Sequence, residues 1–482
     1  MEARTIFISA DHGLAIIYFL QSEVVSTFLS AGHKVVVLTD DEIREKILSK
    51  FNHPNLVFEG LRVNECNHYY STVNPERQWW LNFLRRVGSS NKINTEAMDS
   101  YIQQVAVEEG RRRRWLMPLG HLAVGILRRS RYARRWLISA QVHYMPNLYA
   151  HLFEKYSPAL VVASTPGWRL DRYLLREAAA RGVTTAAVVV GWDNPSSYSI
   201  SGAHVDWISC WSQIQKDELV LGSDWAPEKV NIGGIPSYDG YFGKKWQLPR
   251  DEYFKQHGLD PGRKLLAYAA SFVSFSPNFR NIETIAKLVA SDRLAYPSQL
   301  LIRLHPNHFQ NVNLYRSERD RIRQLAHELP HIHIVEPIPL GGSLGHYSGE
   351  DMPEKSSMMA HADVFLTVYS TMVVETAIHG RPIVATCLDT PHGWNWPNKF
   401  SLPLSQIGKW PTHERFLKSG AGRAAVDEES LQDAINHYLM TPEAETIQQR
   451  LFIERECTYM DGSAGRRTGE FLLGVLESRV SK

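Results

Sequence analysis

Short runs of apolar, mostly β-branched residues alternate along the chain with longer stretches whose apolar spacing suits helices. Parallel strands joined by crossover helices produce this pattern, so it predicts an α/β fold. Helices are expected at 14–31 and 171–181. The predicted strands are 5–9, 34–38, 160–163, 186–190, 207–211 and 230–233 in the first half, then 265–270, 299–304, 331–336, 364–368 and 383–386.

The stretch 242–263 divides the chain, because it is rich in charge, Pro and Gly and holds only one short predicted helix. A chain of 482 residues has room for two or three domains. We therefore predict two doubly wound, Rossmann-like domains that face a cleft. The expected bounds are 1–245 for the first, with a basic and aromatic insertion at about 75–150, and 246–455 for the second.

Composition argues against several classes of protein. The chain has 53 Lys and Arg against 51 Asp and Glu, a formal net charge of +2, which argues against a protein that coats nucleic acid with its whole surface. Four widely spaced cysteines suit neither a disulfide scaffold nor a zinc site, which favours a reducing compartment. We expect no signal peptide, and the apolar stretch Trp115 to Leu127 is shorter than the roughly 20 residues of a spanning helix.

The segment 363–385 carries the most informative pattern, a buried strand that ends in Ser370-Thr371 and is followed by a helix. A hydroxyl pair at a helix N-terminus, placed after a parallel strand, favours a phosphate site. Glu375 lies one helical turn beyond Thr371, where its carboxylate can accept hydrogen bonds from ribose hydroxyls. The alternative is an ordinary capped core helix.

Polar side chains also follow the predicted strand 299–304, where the sequence continues with Pro, Asn and His. Arg303 or His305 can neutralise a diphosphate leaving group. A metal site formed by His305 and His308 is the alternative, but the loop holds no further ligand at suitable spacing. The predicted phosphate-binding residues of the second half are Ser271, Arg303, His305, Asn307, Ser370 and Thr371.

Two loops of the first half carry candidate catalytic and acceptor-binding residues. Asp11 and His12 follow the first strand, and either can act as a general base, although Asp11 can instead cap a helix. Trp192, Asp193 and Asn194 follow the strand 186–190, where they can orient a sugar or an acceptor or form an Asn-Pro turn. We predict catalytic roles for Asp11, His12 and Asp193 and acceptor binding for Trp192 and Asn194.

These motifs resemble those of the GT-B fold nucleotide-sugar glycosyltransferases. The resemblance is to the branch of these enzymes that builds bacterial envelope polysaccharides. That branch also includes CDP-glycerol glycerophosphotransferases and HP-motif transferases that use CMP-activated sugars. The resemblance covers most of the chain in order, apart from 41–150. The residues that carry it are Arg303-Leu-His305-Pro306, the run from Tyr369 to Pro382, Gly191 to Asn194, Gly234 to Asp239, and Tyr459 to Arg466.

The resemblance implies transfer of a sugar, or of a related phosphoglycerol group, from a nucleotide donor to a hydroxyl of a lipid-linked envelope glycan. The donor is expected on the second domain, with its phosphates near His305, Ser370 and Thr371 and its ribose near Glu375. The acceptor is expected on the first domain. A terminal helix within 456–482 is expected to pack back on that domain.

The chain departs from some relatives. It has Ala10 to Gly13 in place of a Gly-rich opening loop and a single Glu375 in place of paired glutamates, so the anomeric outcome stays open. Asp-x-Asp does not occur, so we expect transfer without metal or cofactor. Two other functions fit the same motifs: a nucleotide-sugar 2-epimerase, and a non-catalytic membrane adaptor that keeps the pocket as a sensor.

From Arg111 to Phe153 the chain has no Asp or Glu, whereas nine arginines occur there, interleaved with Trp and Leu. This pattern predicts a helix lying on an anionic leaflet, which would place a cytoplasmic protein at the inner face of its membrane. The alternatives are arginines paired with acids elsewhere, or a polyanion such as RNA. The predicted membrane-binding residues are Arg111, Arg112, Arg113, Arg114, Trp115, Arg128, Arg129 and Arg131.

Overall fold

The computed structural model describes residues 3–271, 278–388 and 402–478. Over these residues the strands are β1 (Thr5–Ser9), β2 (Lys34–Thr39), β3 (Leu56–Gly60), β4 (Leu160–Ala163), β5 (Thr184–Val188), β6 (Trp207–Cys210), β7 (Val230–Ile232), β8 (Lys264–Ala269), β9 (Ser298–Arg303), β10 (Ile332–Val335), β11 (Pro339–Gly341), β12 (His346–Tyr347), β13 (Val364–Thr367), β14 (Ile383–Thr386) and β15 (Arg423–Ala425).

The α-helices follow the strands in the alternation that the sequence predicts. Over the same residues they are α1 (Glu23–Ser30), α2 (Arg44–Leu48), α3 (Val63–Thr72), α4 (Pro75–Val87), α5 (Glu96–Glu108), α6 (Arg111–Arg129), α7 (Arg131–Val142), α8 (Ala150–Tyr156), α9 (Asp171–Ala180), α10 (Asn194–Tyr198), α11 (Gln213–Asp217), α12 (Arg250–His257), α13 (Asn278–Ala290), α14 (Asn313–Glu328), α15 (Met352–His361), α16 (Met372–Ile378), α17 (Leu404–Ile407), α18 (Pro411–Ser419), α19 (Glu428–Met440), α20 (Thr446–Cys457) and α21 (Ala464–Glu477).

The chain divides into two compact units, each with its own sheet. Unit 1 comprises Met1–Asp239, Leu340–Tyr347 and Cys457–Lys482, and unit 2 comprises Gly240–Pro339 and Ser348–Glu456. Unit 1 therefore includes a short segment, 340–347, that lies in the chain between β10 and α15 of unit 2.

Unit 1 is built on a seven-stranded parallel sheet in the order β3-β2-β1-β4-β5-β6-β7. β1 lies inside the sheet between β2 and β4, with Phe7 opposite Val36 of β2 and Val161 of β4. Apolar clusters cover both faces of the sheet, which is why its central strands read as continuous apolar runs. The strand order reverses between β1 and β4, and ligands of open α/β sheets bind at such a reversal.

Unit 2 is built on a parallel sheet in the order β10-β9-β8-β13-β14-β15. In β13, Leu366 lies opposite Tyr268 of β8 and Val384 of β14. Here the order reverses between β8 and β13. The two parallel sheets confirm the predicted fold class of two doubly wound α/β units.

The C-terminal helix α21 packs within unit 1, as predicted. Its Leu472, Val475 and Leu476 are buried in the core of that unit. A Cβ on Gly469 would lie 2.7 Å from Cβ of Thr27, so the glycine permits close packing on α1. The Asp239 carboxylate accepts the N–H groups of Ala464 and Gly465 at 2.9 and 2.7 Å and caps the helix.

The observed strands differ from the predicted ones where apolar residues are not hydrogen-bonded into a sheet, or where sheet residues are not apolar. The predicted strand 186–190 is instead Thr184–Val188, because Val189 and Val190 are buried without extending the strand. β3 and β15 were not predicted; both are edge strands with partly exposed residues, so neither shows a long apolar run. The hairpin strands β11 and β12 were not predicted either.

Candidate functional site

The carboxyl ends of β8 and β13 meet at the strand-order reversal of unit 2. These strands pair in parallel, with Thr367 opposite Ala269. Ser271 follows β8 closely, and Ser370 and Thr371 follow β13. Three of the predicted phosphate-binding residues are thus brought to the edge of the sheet where an open α/β sheet takes its ligand.

Ser370 and Thr371 are half-buried and lie directly before α16. The Ser370 hydroxyl accepts the N–H of Met372 at 3.0 Å, which stabilises the turn into the helix. The carbonyl of Thr371 accepts the N–H of Glu375 at 3.3 Å. The local hydrogen bonds therefore fix the position of this hydroxyl pair at the sheet edge.

Glu375, the predicted ribose ligand, is 3% exposed and is neutralised inside unit 2. Its Oε2 lies 2.6 Å from Nζ of Lys355 on α15 and accepts the Tyr241 hydroxyl at 2.5 Å. The Tyr241 ring also contacts His379, with ring centroids 5.1 Å apart. A buried carboxylate needs such partners, and the pair places a cation beside the sheet edge.

His305 is held by its own loop. Its Nδ1 accepts the N–H of Asn307 at 3.1 Å, so the neutral ring carries its proton on Nε2. Burial lowers the pKa of His305 to about 3, with further lowering from His308 and from the Lys355 ammonium. At neutral pH this imidazole is therefore uncharged, and it can donate a hydrogen bond but adds no positive charge.

A chain of hydrogen bonds links the loops after β8 and β9. The N–H of His305 donates to Nδ1 of His308, whose Nε2 lies 2.9 Å from Oε2 of Glu318 on α14. Glu318 also accepts Nδ2 of Asn278, and Asn278 in turn binds both the N–H and the carbonyl of Ser271. Ser271 and His305 are therefore positioned by one network. Both ring nitrogens of His308 are engaged in this network, because Nδ1 accepts a backbone N–H and Nε2 contacts Glu318.

Arg303 is engaged in a buried ion-pair cluster. It is 7% exposed, and its guanidinium contacts Asp351 at 2.5 Å and Glu354. Glu354 also accepts the hydroxyl of Tyr253 at 2.8 Å. The two carboxylates raise the pKa of Arg303 despite its burial. Arg303 is thus the last residue of β9, with its charge matched by two acids, while His305 follows it in the loop.

Sequence reasoning missed Lys355, Tyr241 and Glu318. Lys355 lies in α15, a helix that the sequence analysis did not assign. Asp351-Met352-Pro353, an acid at the cap position followed by proline in the first turn, is the signal that indicates the start of this helix. No local pattern, however, pairs Lys355 with Glu375 twenty residues later.

Asp11 lies at the strand-order reversal of unit 1 and is 0% exposed. Its Oδ2 accepts the N–H of Asp171 at 2.8 Å, so it caps α9, and Nε of Arg169 lies 3.7 Å from its Oδ1. Burial raises the pKa of Asp11. His12 beside it is half-buried, and its Nδ1 accepts the N–H of Leu14 at 3.1 Å.

His12 is thus placed as a hydrogen-bond donor. Because Nδ1 is occupied as an acceptor, the neutral ring carries its proton on Nε2. Burial lowers the pKa of His12 to about 3, and Arg169 and His346 lower it further. The segment 340–347 packs beside this loop in unit 1, where Tyr347 donates its N–H to the carbonyl of Gly13 at 2.9 Å.

The loop after β5 holds Trp192, Asp193 and Asn194 in a tight turn. Trp192 is 1% exposed, so its ring lies inside unit 1. Asn194 is also buried, and its Oδ1 accepts the N–H of Gly191 at 2.8 Å. Asp193 is half-buried, and burial raises the pKa of its carboxyl group. Of the three, Asp193 is the side chain with partial access to solvent.

The buried carboxyls of Asp11 and Asp171 make a pH-dependent contribution to stability. Burial and the Asp11 carboxylate raise the pKa of Asp171 to about 7. Between about pH 4 and 7 the folded protein keeps a proton that the unfolded chain releases, so this contribution falls as pH rises. We expect the melting temperature of Asp171→Asn, relative to wild type, to increase between pH 5 and pH 8. A difference that stays flat with pH contradicts this expectation.

The arginines of α6 and α7 have two kinds of surroundings. Arg113 contacts Glu76 and Glu109 at 3.0 and 2.8 Å, and Arg128 contacts Asp99 at 2.8 Å. Arg131 lies 3.9 Å from Asp224. The other predicted membrane-binding residues are exposed: Arg111, Arg112, Arg114, Trp115 and Arg129.

Among the described helices, none combines the length and the apolar character needed to span a bilayer. In the described ranges, no group of three or more His, Cys, Asp and Glu is arranged to hold a metal ion.

No protein-family model and no curated protein sequence matches this chain. Solved structures of similar fold include a protein assigned as a UDP-N-acetylglucosamine 2-epimerase from Listeria monocytogenes, with a TM-score of 0.55 and 11% identity over 100% of this chain and 97% of that one. The UDP-GlcNAc 2-epimerase from Neisseria meningitidis bound to UDP-GlcNAc has a TM-score of 0.51 and 12% identity, over 98% and 100%. A glycosyltransferase from Rickettsia africae has a TM-score of 0.50 and 10% identity, over 99% of each chain. The chain therefore has the fold of GT-B glycosyltransferases and UDP-GlcNAc 2-epimerases.

Proposed function

We propose that the protein is a glycosyltransferase that moves a sugar from a nucleotide-sugar donor to a hydroxyl of a lipid-linked cell-envelope glycan. The observation that carries the proposal is the set of polar and cationic groups at the strand-order reversal of unit 2. Hydroxyls from Ser370 and Thr371, the ring Nε2–H of His305 and the ammonium of Lys355 are groups that bind a diphosphate. The fold shared with nucleotide-sugar enzymes supports the proposal.

In this proposal the donor nucleotide binds unit 2. Ser271, Asn307, Ser370 and Thr371 contact its phosphates, and Glu375 accepts a hydrogen bond from the ribose. The acceptor hydroxyl gives its proton to a base, and its oxygen bonds to the anomeric carbon. The bond from that carbon to the phosphate oxygen breaks, and the nucleoside phosphate leaves with its negative charge.

We assign the base to unit 1. Asp193 is favoured over Asp11, because Asp11 is fully buried and caps α9 whereas Asp193 is partly exposed and has a raised pKa. His12 presents an N–H and serves as a hydrogen-bond donor to the acceptor. Trp192 and Asn194 hold the loop that carries Asp193.

Charge on the leaving group is balanced by Lys355 and by backbone N–H groups, without a metal. Arg303 supports this site through its ion pairs with Asp351, the residue before α15, and with Glu354 of α15, the helix that carries Lys355. The sequence from Arg303 to Pro306 resembles that of HP-motif and CDP-glycerol transferases, which supports a place for this protein in their branch.

We expect turnover to persist in EDTA. Complete loss of activity that Mg²⁺ or Mn²⁺ restores would contradict this expectation.

A second candidate is a nucleotide-sugar 2-epimerase, which is favoured by the TM-scores of 0.55 and 0.51 to proteins of that description. The test incubates the purified protein with UDP-, GDP-, CDP-, CMP- and dTDP-sugars, with and without a membrane extract as acceptor source. A transferase releases the free nucleotide only when acceptor is added. Conversion of the donor sugar without acceptor identifies an epimerase, and tight binding without turnover identifies a non-catalytic adaptor.

A further inference from the structure

Helix α6 exposes a stripe of large apolar side chains. Trp115, Leu119, Leu122 and Ile126 are between 53 and 79% exposed. Their spacing of four, three and four residues places them on one face of the helix, and we call this set the exposed apolar stripe. In α7, which follows directly and packs against α6, Tyr132 and Trp136 are also 84 and 65% exposed.

The opposite face of α6 already anchors the helix in unit 1. Met117, Val124 and Leu127 are buried there, and a Cβ on Gly120 would lie 2.9 Å from the Trp80 ring. The helix is therefore apolar on two faces, of which only one contributes to the core. A contiguous exposed apolar surface of this kind marks an interaction site.

Paired arginines tie α6 to its neighbours. Arg113 contacts Glu76 of α4, and Arg128 contacts Asp99 of α5. These two guanidinium groups are therefore neutralised by acids of unit 1. We assign them a structural role, although the sequence predicts them as lipid ligands.

Other arginines of the two helices remain available to an anionic partner. Arg111, Arg112 and Arg114 are exposed at the start of α6, and Arg129 is exposed at its end. Arg135 of α7 is exposed as well. Within the described part of the chain, no Asp or Glu lies within salt-bridge distance of these five residues. An excess of positive charge therefore surrounds the exposed apolar stripe.

We propose that α6 and α7 dock on an anionic lipid surface. The exposed apolar stripe enters the boundary between headgroups and acyl chains, and the unpaired arginines bind lipid phosphates. Arginines stand at both ends of α6, which is roughly 28 Å long, so the helix lies in the plane of the surface. Trp and Tyr suit this boundary because one side of each ring system is apolar and the other is polar. The inference concerns an interaction surface and does not depend on the proposed function.

The test measures co-sedimentation of the full chain with vesicles of phosphatidylglycerol and phosphatidylcholine, and with phosphatidylcholine alone. We expect binding to the anionic vesicles only, weakened by salt. Replacing the exposed apolar stripe with serine (Trp115→Ser, Leu119→Ser, Leu122→Ser, Ile126→Ser) is expected to lower the partition coefficient at least about a hundredfold. Replacing Arg111, Arg112, Arg114 and Arg129 with glutamine is expected to lower it at least about tenfold and to flatten its salt dependence.

A matched control removes exposed apolar residues elsewhere. Leu48, Ile447 and Leu451 are 53, 72 and 54% exposed, and their serine variants are expected to bind like wild type. Since all of the replaced side chains are exposed, thermal unfolding should stay unchanged and show that each variant folds.

A second measurement locates the contact. The four native cysteines are buried, so Leu119→Cys supplies an accessible thiol for an environment-sensitive fluorophore. We expect its emission to shift to the blue on anionic vesicles, whereas the same label at Ile447→Cys should not respond. The proposal is overturned if the stripe variant binds anionic vesicles like wild type. It is also overturned if the wild-type protein binds RNA but no vesicles. A third contrary result is a wild-type dimer, seen by light scattering, that is lost in the stripe variant while the wild-type protein does not bind vesicles.

Discussion

Replacing Arg303 with methionine is expected to destabilise the protein by about 3–5 kcal/mol. The substitution leaves Asp351 and Glu354 buried beside each other without their cation, since both side chains are at most 13% exposed. Two uncompensated carboxylates in a poorly solvated region are costly. Urea-induced unfolding, followed by far-UV circular dichroism, measures the change in the free energy of unfolding.

A matched control and a rescue make this result specific. Arg323 pairs with Glu336 at 2.5 Å, but the two side chains are 42 and 40% exposed, so Arg323→Met is expected to cost less than about 1 kcal/mol. Adding Asp351→Asn and Glu354→Gln to Arg303→Met should restore most of the stability. If Arg303→Met stays stable while nucleotide affinity falls, Arg303 contacts phosphate directly and its structural role is refuted.

Replacing Lys355 with methionine is expected to lower turnover of the nucleotide donor by about 10²–10³-fold. Lys355 supplies the cation that contacts Glu375 and lies near His305, whose neutral ring provides no charge. Without this ammonium, the developing negative charge of the leaving phosphate loses a cationic partner in unit 2. Release of free nucleotide in the presence of acceptor measures the effect, and calorimetric titration with the nucleotide reports binding.

The double variant separates chemistry from folding. Lys355→Met alone leaves Glu375 buried without its cation, whereas Lys355→Met with Glu375→Gln removes both charges and should regain stability but not activity. Lys287→Met, which breaks a surface pair with Glu283, serves as the control and should change neither property. If the double variant binds and turns over the donor like wild type, Lys355 is not part of the nucleotide-binding site.

Positions at strand ends could be predicted because they depend on local sequence. The buried strands near Ser370 and His305 are short apolar runs, and the turn residues that follow them mark their carboxyl ends. Parallel strands place those ends along one edge, so the location of these residues at the edge of the second sheet follows from the pattern. The apolar and arginine-rich character of α6 is equally visible in the sequence.

Partners distant in the chain could not be predicted. Nothing near Lys355 indicates Glu375 or Tyr241, and nothing near Arg303 distinguishes a phosphate ligand from a partner of Asp351 and Glu354. The tautomers of His12 and His305 depend on single backbone N–H groups in their loops. Such assignments require the positions of atoms rather than residue types.

The amino-acid sequence by itself determined the alternation of strands and helices, and with it the doubly wound class and the sheet edges that carry polar residues, because periodicity and turn chemistry act over a few neighbouring residues. Tertiary structure decided which charges meet. It paired Arg113 and Arg128 with acids and left Arg111, Arg112 and Arg114 exposed. The physical reason is that an ion pair forms according to distance and burial, and helices brought together by packing set both.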